Sequence, residues 1–136
     1  MDYKKYYRSR FIRHWISVPF IWMLIVPGLF FDVCLEIYHR LCFPLYGLKT
    51  VDRSEYIHMD RHKLKYLRLG DKINCLYCGY MNGLLHYACE IAARTEKYWC
   101  GIKHMNTSHA IVPTHHTSFI EYGNEDEFKE KCKLEK

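Results

Sequence analysis

Trp15-Ile-Ser-Val-Pro-Phe-Ile-Trp-Met-Leu-Ile-Val-Pro-Gly-Leu-Phe-Phe31 runs through the N-terminal third of the chain without a single charge. Such a stretch either fills a protein core or enters lipid. Its aromatic content argues for lipid, and so does the arm in front of it. Residues 1–14 carry Lys4, Lys5, Arg8, Arg10 and Arg13 against one acid, Asp2, a composition drawn to anionic headgroups. A signal peptide shares this outline, but Asp32-Val33-Cys34-Leu35-Glu36 follows in place of a small-x-small cleavage site. As a helix the run reaches only ~25 Å against a hydrocarbon core of ~30 Å. Pro19 and Pro27-Gly28 also interrupt it. Lys and Arg gather on the cytoplasmic side of a membrane segment. Here the far flank is basic as well, with Arg40, Lys49, Arg53, Arg61, Lys63, Lys65, Arg68 and Lys72. The expected arrangement is therefore re-entrant or interfacial, with a turn at Pro27-Gly28 and a return along Leu29–Leu45. A single span is the alternative. The returning arm holds Asp32, Glu36, His39 and Arg40, which makes it amphipathic and places it near the headgroups.

Downstream, the pattern predicts helices. Leu29 to Cys42 reads as helix with Pro44 as its stop, and Phe43–Asp52 reads as loop. Ser54 is a candidate N-cap for a basic helix reaching Leu69, where Gly70-Asp71 breaks it. From Lys72 to Trp99, Ile73, Tyr77, Tyr80, Leu84, Tyr87, Ile91 and Tyr98 share one face at helical spacing. Gly79 and Gly83 weaken the first half and move the expected start toward Asn82. Thr107–Thr117 reads as polar loop, Ser118–Tyr122 as a short edge strand, and Glu125–Leu134 as a charged, solvated helix. The fold class is mainly α: an N-terminal membrane helix, re-entrant or single-span, followed by a small helical domain rich in cysteine and histidine. The expected divisions are a basic arm at 1–14, a membrane-inserted or interfacial segment at 15–46, a metal or thiol domain at 47–123 and a charged helix at 124–136.

A chain of 136 residues is the size of one domain. Its net charge of +5 comes without a nucleic-acid motif or aromatics interleaved among basic loops, so nucleic acid is not an expected partner. The expected partners are the bilayer, its anionic headgroups and a larger membrane complex. Seven cysteines, an odd number, argue against a fully paired disulfide framework. They favour a reducing compartment and place the cysteine-rich part on the cytoplasmic side.

The sharpest chemical signal is Cys75-Leu-Tyr-Cys78, with Cys100-Gly-Ile-Lys-His104 downstream. Two sulfurs at C-x-x-C spacing reach one tetrahedral ion, and the second pair supplies two more ligands for a Cys3His zinc site. One long helix over 79–99 would hold the pairs apart, so sharing an ion requires Gly79–His86 to be extended and to fold back. Three other readings stay open. Cys75 and Cys78 form a thiol redox pair, or Cys75, Cys78, Cys89 and Cys100 hold an iron–sulfur centre, or the cysteines are small buried hydrophobes. A second constellation is Glu36-x-x-His39, a pair that carboxylate-bridged metal bundles use. Glu90 and Glu96 are its candidate glutamates, His62 or His104 its second imidazole, and non-haem iron its metal. Ordinary ion pairing with Arg40 competes with that reading. If the helix continues past Trp99, Glu96, Cys100 and His104 align at i, i+4 and i+8. Asp60-Arg61-His62 reads as a solvated face, and His115-His116 sits isolated in polar loop.

Tyr38-His-Arg-Leu-Cys-Phe-Pro-Leu-Tyr-Gly47, Tyr56-Ile-His-Met-Asp-Arg-His-Lys-Leu64, Cys75-Leu-Tyr-Cys-Gly-Tyr-Met-Asn-Gly83 and Arg94-Thr-Glu-Lys-Tyr-Trp-Cys-Gly-Ile-Lys-His104 resemble an uncharacterised bacterial family of small membrane-associated proteins. Its marks are a C-x-x-C and a W-C-x-x-x-H motif. Gly101 stands where that family has proline. The resemblance implies a bacterial origin and brings no activity with it. The residues themselves lead to three functional expectations. The first is an accessory or interaction module at the membrane surface with a zinc site at Cys75, Cys78, Cys100 and His104. The others are a membrane-bound metalloenzyme built on Glu36, His39, Glu90, Glu96 and His104, and a thiol redox protein using Cys75 and Cys78.

Overall fold

The computed structural model describes residues 11–105 and 111–134, and side chains over 12–105 and 111–132. Lys4, Lys5, Arg8 and Arg10 of the basic arm lie outside the described residues. The protein is mainly helical: α1 is Phe11–Met23, α2 Ile25–Leu45, α3 Leu69–Trp99 and α4 Glu125–Leu134. Two compact units divide within α3, at Ala88 and Cys89.

In the first unit, α1 and α2 form one helical run interrupted only at Leu24. Its stretch from Ile12 to Leu45, 34 residues, is long and apolar enough to cross a membrane. The turn expected at Pro27-Gly28 is absent. Both residues sit in the first turn of α2, where proline's missing N–H has no helical acceptor to serve. The interruption falls one turn earlier. There Leu24 N–H bonds back to Ile21 O at 3.2 Å, and the Tyr77 hydroxyl donates to the same carbonyl at 2.8 Å.

Contacts of the α1–α2 run with α3 ascend together. Tyr77 meets Ile21, Met81 lies over Gly28, and Tyr87 reaches Glu36 and His39. The helices therefore run side by side in the same direction, and the strap between them, residues 46–68, carries the chain back. The strap descends as it passes: Val51 bonds His39, Arg53 bonds Asp32, Tyr56 and Ile57 rest on Gly83, and His58 on Gly79. The helix expected from Ser54 to Leu69 does not form. Asp52 accepts from both the backbone N–H (2.8 Å) and the hydroxyl (2.7 Å) of Ser54, and these bonds, the hydroxyl's first, hold the Asp52 carboxyl below its ordinary value. Only single 3-10 turns occur, at Arg53–Glu55 and Arg61–Lys63. Among the described residues, Phe43, Val51, Leu84 and Tyr87 are the buried apolar side chains of this unit.

α3 begins earlier than the glycines suggested and is unbroken from Leu69 to Trp99. Gly101, at φ 60°, ends it. The amides of Cys100 and Gly101 both return to the Glu96 carbonyl, at 2.9 and 3.1 Å. In the second unit this turn brings Ile102 into a parallel bridge with Ile120, fixed by Lys103 N–H to Ile120 O and Ile120 N–H to Gly101 O, each 2.8 Å. That bridge stands where an edge strand was expected. A 3-10 turn, Thr114–Ser118, precedes it. α4 covers the predicted span.

Candidate functional site

Two polar clusters stand out, one in each unit. The first lies on the inner face of α2. Gly28, Asp32, His39 and Phe43 are buried at near-helical intervals. The opposite face shows Leu29, Phe30, Val33, Ile37, Leu41 and Leu45, all exposed. Arg53 grips Asp32 through both terminal nitrogens, at 2.5 and 2.6 Å, the two-pronged geometry that gives guanidinium–carboxylate pairs their strength. The Tyr80 hydroxyl donates to the same carboxylate at 2.7 Å. Glu36 accepts from Arg40 at 2.8 Å, Arg53 at 3.2 Å and Tyr87 at 3.0 Å. The Val51 amide donates to His39 Nε2 at 2.9 Å, so that nitrogen bears no proton and Nδ1 does. Nδ1 lies 2.9 Å from the Tyr87 hydroxyl, which passes its own hydrogen to Glu36. Burial, reinforced by the bonded carboxylates, pushes the Tyr80 and Tyr87 hydroxyls up to about 12. Asp32, as bond acceptor and neighbouring charge, raises Arg53 above its ordinary value. Both nitrogens of His39 are thus engaged. The Glu36-x-x-His39 pair joins a clamp that ties the strap to α2.

The second cluster forms where α3 ends. Glu96 occupies the last turns of α3, and the Gly101 reversal together with the Ile102–Ile120 bridge brings the 113–120 segment to it. His115 Nε2 lies 2.8 Å from Glu96 Oε2 and His116 Nε2 3.1 Å from Oε1. His115's hydrogen bond, followed by that of His116, holds the Glu96 carboxyl below its ordinary value against the opposing effect of burial. A carboxylate only accepts, so each Nε2 carries a hydrogen here. The rings are set by packing. His116, 2% exposed, stacks on Phe119 at 4.6 Å and 22°. His115 meets His116 edge-on at 4.7 Å. His104, on the segment leaving the glycine turn, has Nε2 3.8 Å from Glu96 Oε1, and its ring centroid is 5.7 Å from that of His116.

Glu96, His115 and His116 are the one group of three metal-ligating side chains among the described residues whose ligand atoms lie within 4.8 Å of one another. Of the residues expected to ligate, Glu96 and His104 therefore meet, with histidines that the sequence left in a loop. Cys75, Cys78 and Cys100 do not join such a group. Residues 79–86 are helical, so the fold-back that a shared ion requires is missing. Cys75 and Cys78 lie within a helix, away from the strand-to-helix junction of a redox pair. Glu90 is taken by Arg94 at 2.7 Å, and His62 bonds the Met59 carbonyl at 2.5 Å. None of the seven cysteines forms a disulfide or is buried, which corrects their reading as core hydrophobes. Comparison with protein-family models, curated proteins and solved structures finds no match.

Proposed function

We propose that this protein is an accessory or interaction module seated in one leaflet of a membrane, with its cysteine- and histidine-rich part at the surface. The supporting observation is the reversed polarity of α2. A water-facing helix turns its charges outward. Here Asp32 and His39 face inward, bonded to Arg53, Val51 and Tyr87, while leucine, valine, isoleucine and phenylalanine face out. Hydrocarbon solvates that outer face, and ionisable groups near lipid are tolerated on the protein side with partners.

The in-plane setting is supported by α3. Tyr77 reaches Ile21 in the middle of the apolar run, and Asp71 and Lys72 lie one to two turns before it on the same helix. A perpendicular crossing at Ile21 would carry these groups into the hydrocarbon. A run lying in the interface keeps them in water and suits basic flanks on both sides. The basic flanks and the seven thiols support a cytoplasmic setting for this part, where anionic headgroups and a larger membrane complex are its expected partners.

The test is extraction and labelling of the full chain. Carbonate and high salt should leave it on membranes. Val33→Arg, Ile37→Arg and Leu41→Arg together should release it, each charge opposing insertion by up to ~3 kcal/mol. Cysteine probes at positions 5 and 63 should label from the same side. Release by salt alone refutes insertion, and labelling from opposite sides refutes the in-plane setting.

A further inference from the structure

We propose that Glu96, His115 and His116 bind one divalent first-row transition-metal ion, zinc or ferrous iron, with His104 closing in as a fourth ligand. The inference is independent of the membrane setting. It rests on three imidazoles and one carboxylate converging from three chain segments.

The donor types select the metal class. Imidazole suits zinc and iron, whereas magnesium and calcium take oxygen. Two histidines and one carboxylate are also the set that leaves coordination positions open, in zinc enzymes and ferrous oxygenases alike. The spacing fits as well. A tetrahedral ion with bonds of ~2.1 Å keeps its ligand atoms ~3.4 Å apart. His115 and His116 stand 2.8 and 3.1 Å from the two different oxygens of Glu96, and one ligand atom from each of the three residues lies within 4.8 Å of the others, a spread that side-chain adjustment draws in to that value. Each Nε2 must then release its hydrogen. The imidazole carries its proton on Nδ1, and the lone pair freed at Nε2 forms the metal bond. Glu96 contributes a carboxylate oxygen as it stands.

The site is also prearranged. His116 is buried and stacked on Phe119, and the backbone at Glu96 is fixed by the two amides that close α3. A ring held in place loses little freedom on binding, which is what orients a ligand shell. His104 is different: 83% exposed and 3.8 Å from Glu96, it can enter or leave the ion's fourth position. That makes it the exchangeable ligand, in competition with water.

Purified full-length protein in mild detergent, stripped with chelator, is dialysed against zinc chloride and, anaerobically, ferrous sulfate. Metal is counted by atomic emission, and the fold is followed by circular dichroism. One ion per chain is expected. Glu96→Gln and His115→Gln, at partly exposed positions, should keep the helical spectrum and lose more than ~100-fold in affinity, beyond the ~10–100-fold of an outer-shell change. His104→Ala should keep the stoichiometry and weaken binding by about tenfold. The combined Cys75→Ser, Cys78→Ser and Cys100→Ser variant should bind as the parent does. Folded protein that takes up neither metal overturns the proposal. So does metal that survives Glu96→Gln and His115→Gln and disappears with the cysteines.

Discussion

Gly83→Ala tests the strap's seat on α3 directly. Alanine is the best helix former, and in an open position it stabilises a helix by ~1 kcal/mol over glycine. Gly70 is such a position, with nothing within 4 Å of an added Cβ. At Gly83 the same Cβ would stand 2.6 Å from the Tyr56 carbonyl oxygen and 2.8 Å from Ile57 Cα. Ordinary contact begins near 3.4 Å, so the strap must retreat by about 0.8 Å, which is 3.4 minus 2.6. Both opposing atoms are backbone, and no rotamer change relieves them. The strap is pinned nearby through Arg53 to Asp32, so it cannot retreat without stretching that ion pair. Overpacking of this kind costs ~1–3 kcal/mol. Offset by the gain in helix propensity, Gly83→Ala should destabilise by up to ~2 kcal/mol and Gly70→Ala should stabilise by up to ~1 kcal/mol. At roughly 4 °C per kcal/mol for a chain of this size, the first lowers the melting temperature by up to ~8 °C. The assay is thermal unfolding in detergent by circular dichroism, alongside trypsin cleavage after the half-buried Arg53, which should quicken only in Gly83→Ala. If both alanines raise the melting temperature alike, the strap does not lie on α3.

Removing the acid of the clamp, Asp32→Ala, leaves Arg53 with Glu36 alone and the Tyr80 hydroxyl without its acceptor. Urea unfolding should show a loss of ~1–2 kcal/mol, the lower part of the usual range because Arg53 is about a third exposed, and an unchanged midpoint refutes the clamp. Tyr80 and Tyr87 keep their protons longer in the folded protein than in the unfolded chain, so the stability they contribute is complete below pH 10 and declines as pH rises toward about 12. Phenolate absorbance should show two of the 12 tyrosines ionising late, together with unfolding. Tyr87→Phe should remove one of them, and a single early transition refutes the burial.

What the sequence could show followed what depends on neighbours in the chain. The span of α4 and the helix through Leu29–Cys42 rest on local pattern and charge, and both were legible. The strap was not. Ser54 reads as a helix cap, yet Asp52 claims its amide and hydroxyl, and Arg53 is drawn to Asp32, 21 residues away. Gly79 and Gly83 read as weak points in a helix. They are docking seats, and their lack of a side chain is what admits the strap's backbone. A glycine pair four residues apart in an otherwise strong helix is therefore better taken as a close-approach signal than as a late start.

The cluster of Glu96 with its histidines was half legible, for a reason that lies in the helix end. The spacing of Glu96, Cys100 and His104 would align all three on a continuing helix, and that alignment made Cys100 a candidate ligand. Gly101 ends the helix first. Its left-handed conformation reverses the chain, separates Cys100 from the group and delivers Ile102 to Ile120. Once that bridge forms, the turn at 114–118 is carried to the end of α3, and two histidines with no local partner arrive beside a carboxylate 19 and 20 residues behind them. No periodicity encodes such a meeting. The available signals were the adjacent histidines after Pro113 and the glycine at the end of the helix, each weak alone. The same reasoning gives Gly101 its role. A proline there cannot adopt positive φ, nor supply the amide that returns to the Glu96 carbonyl at 3.1 Å. Replacing Gly101 by proline would therefore dismantle the approach of His104 and the 113–120 segment to Glu96, without touching any side chain in the cluster.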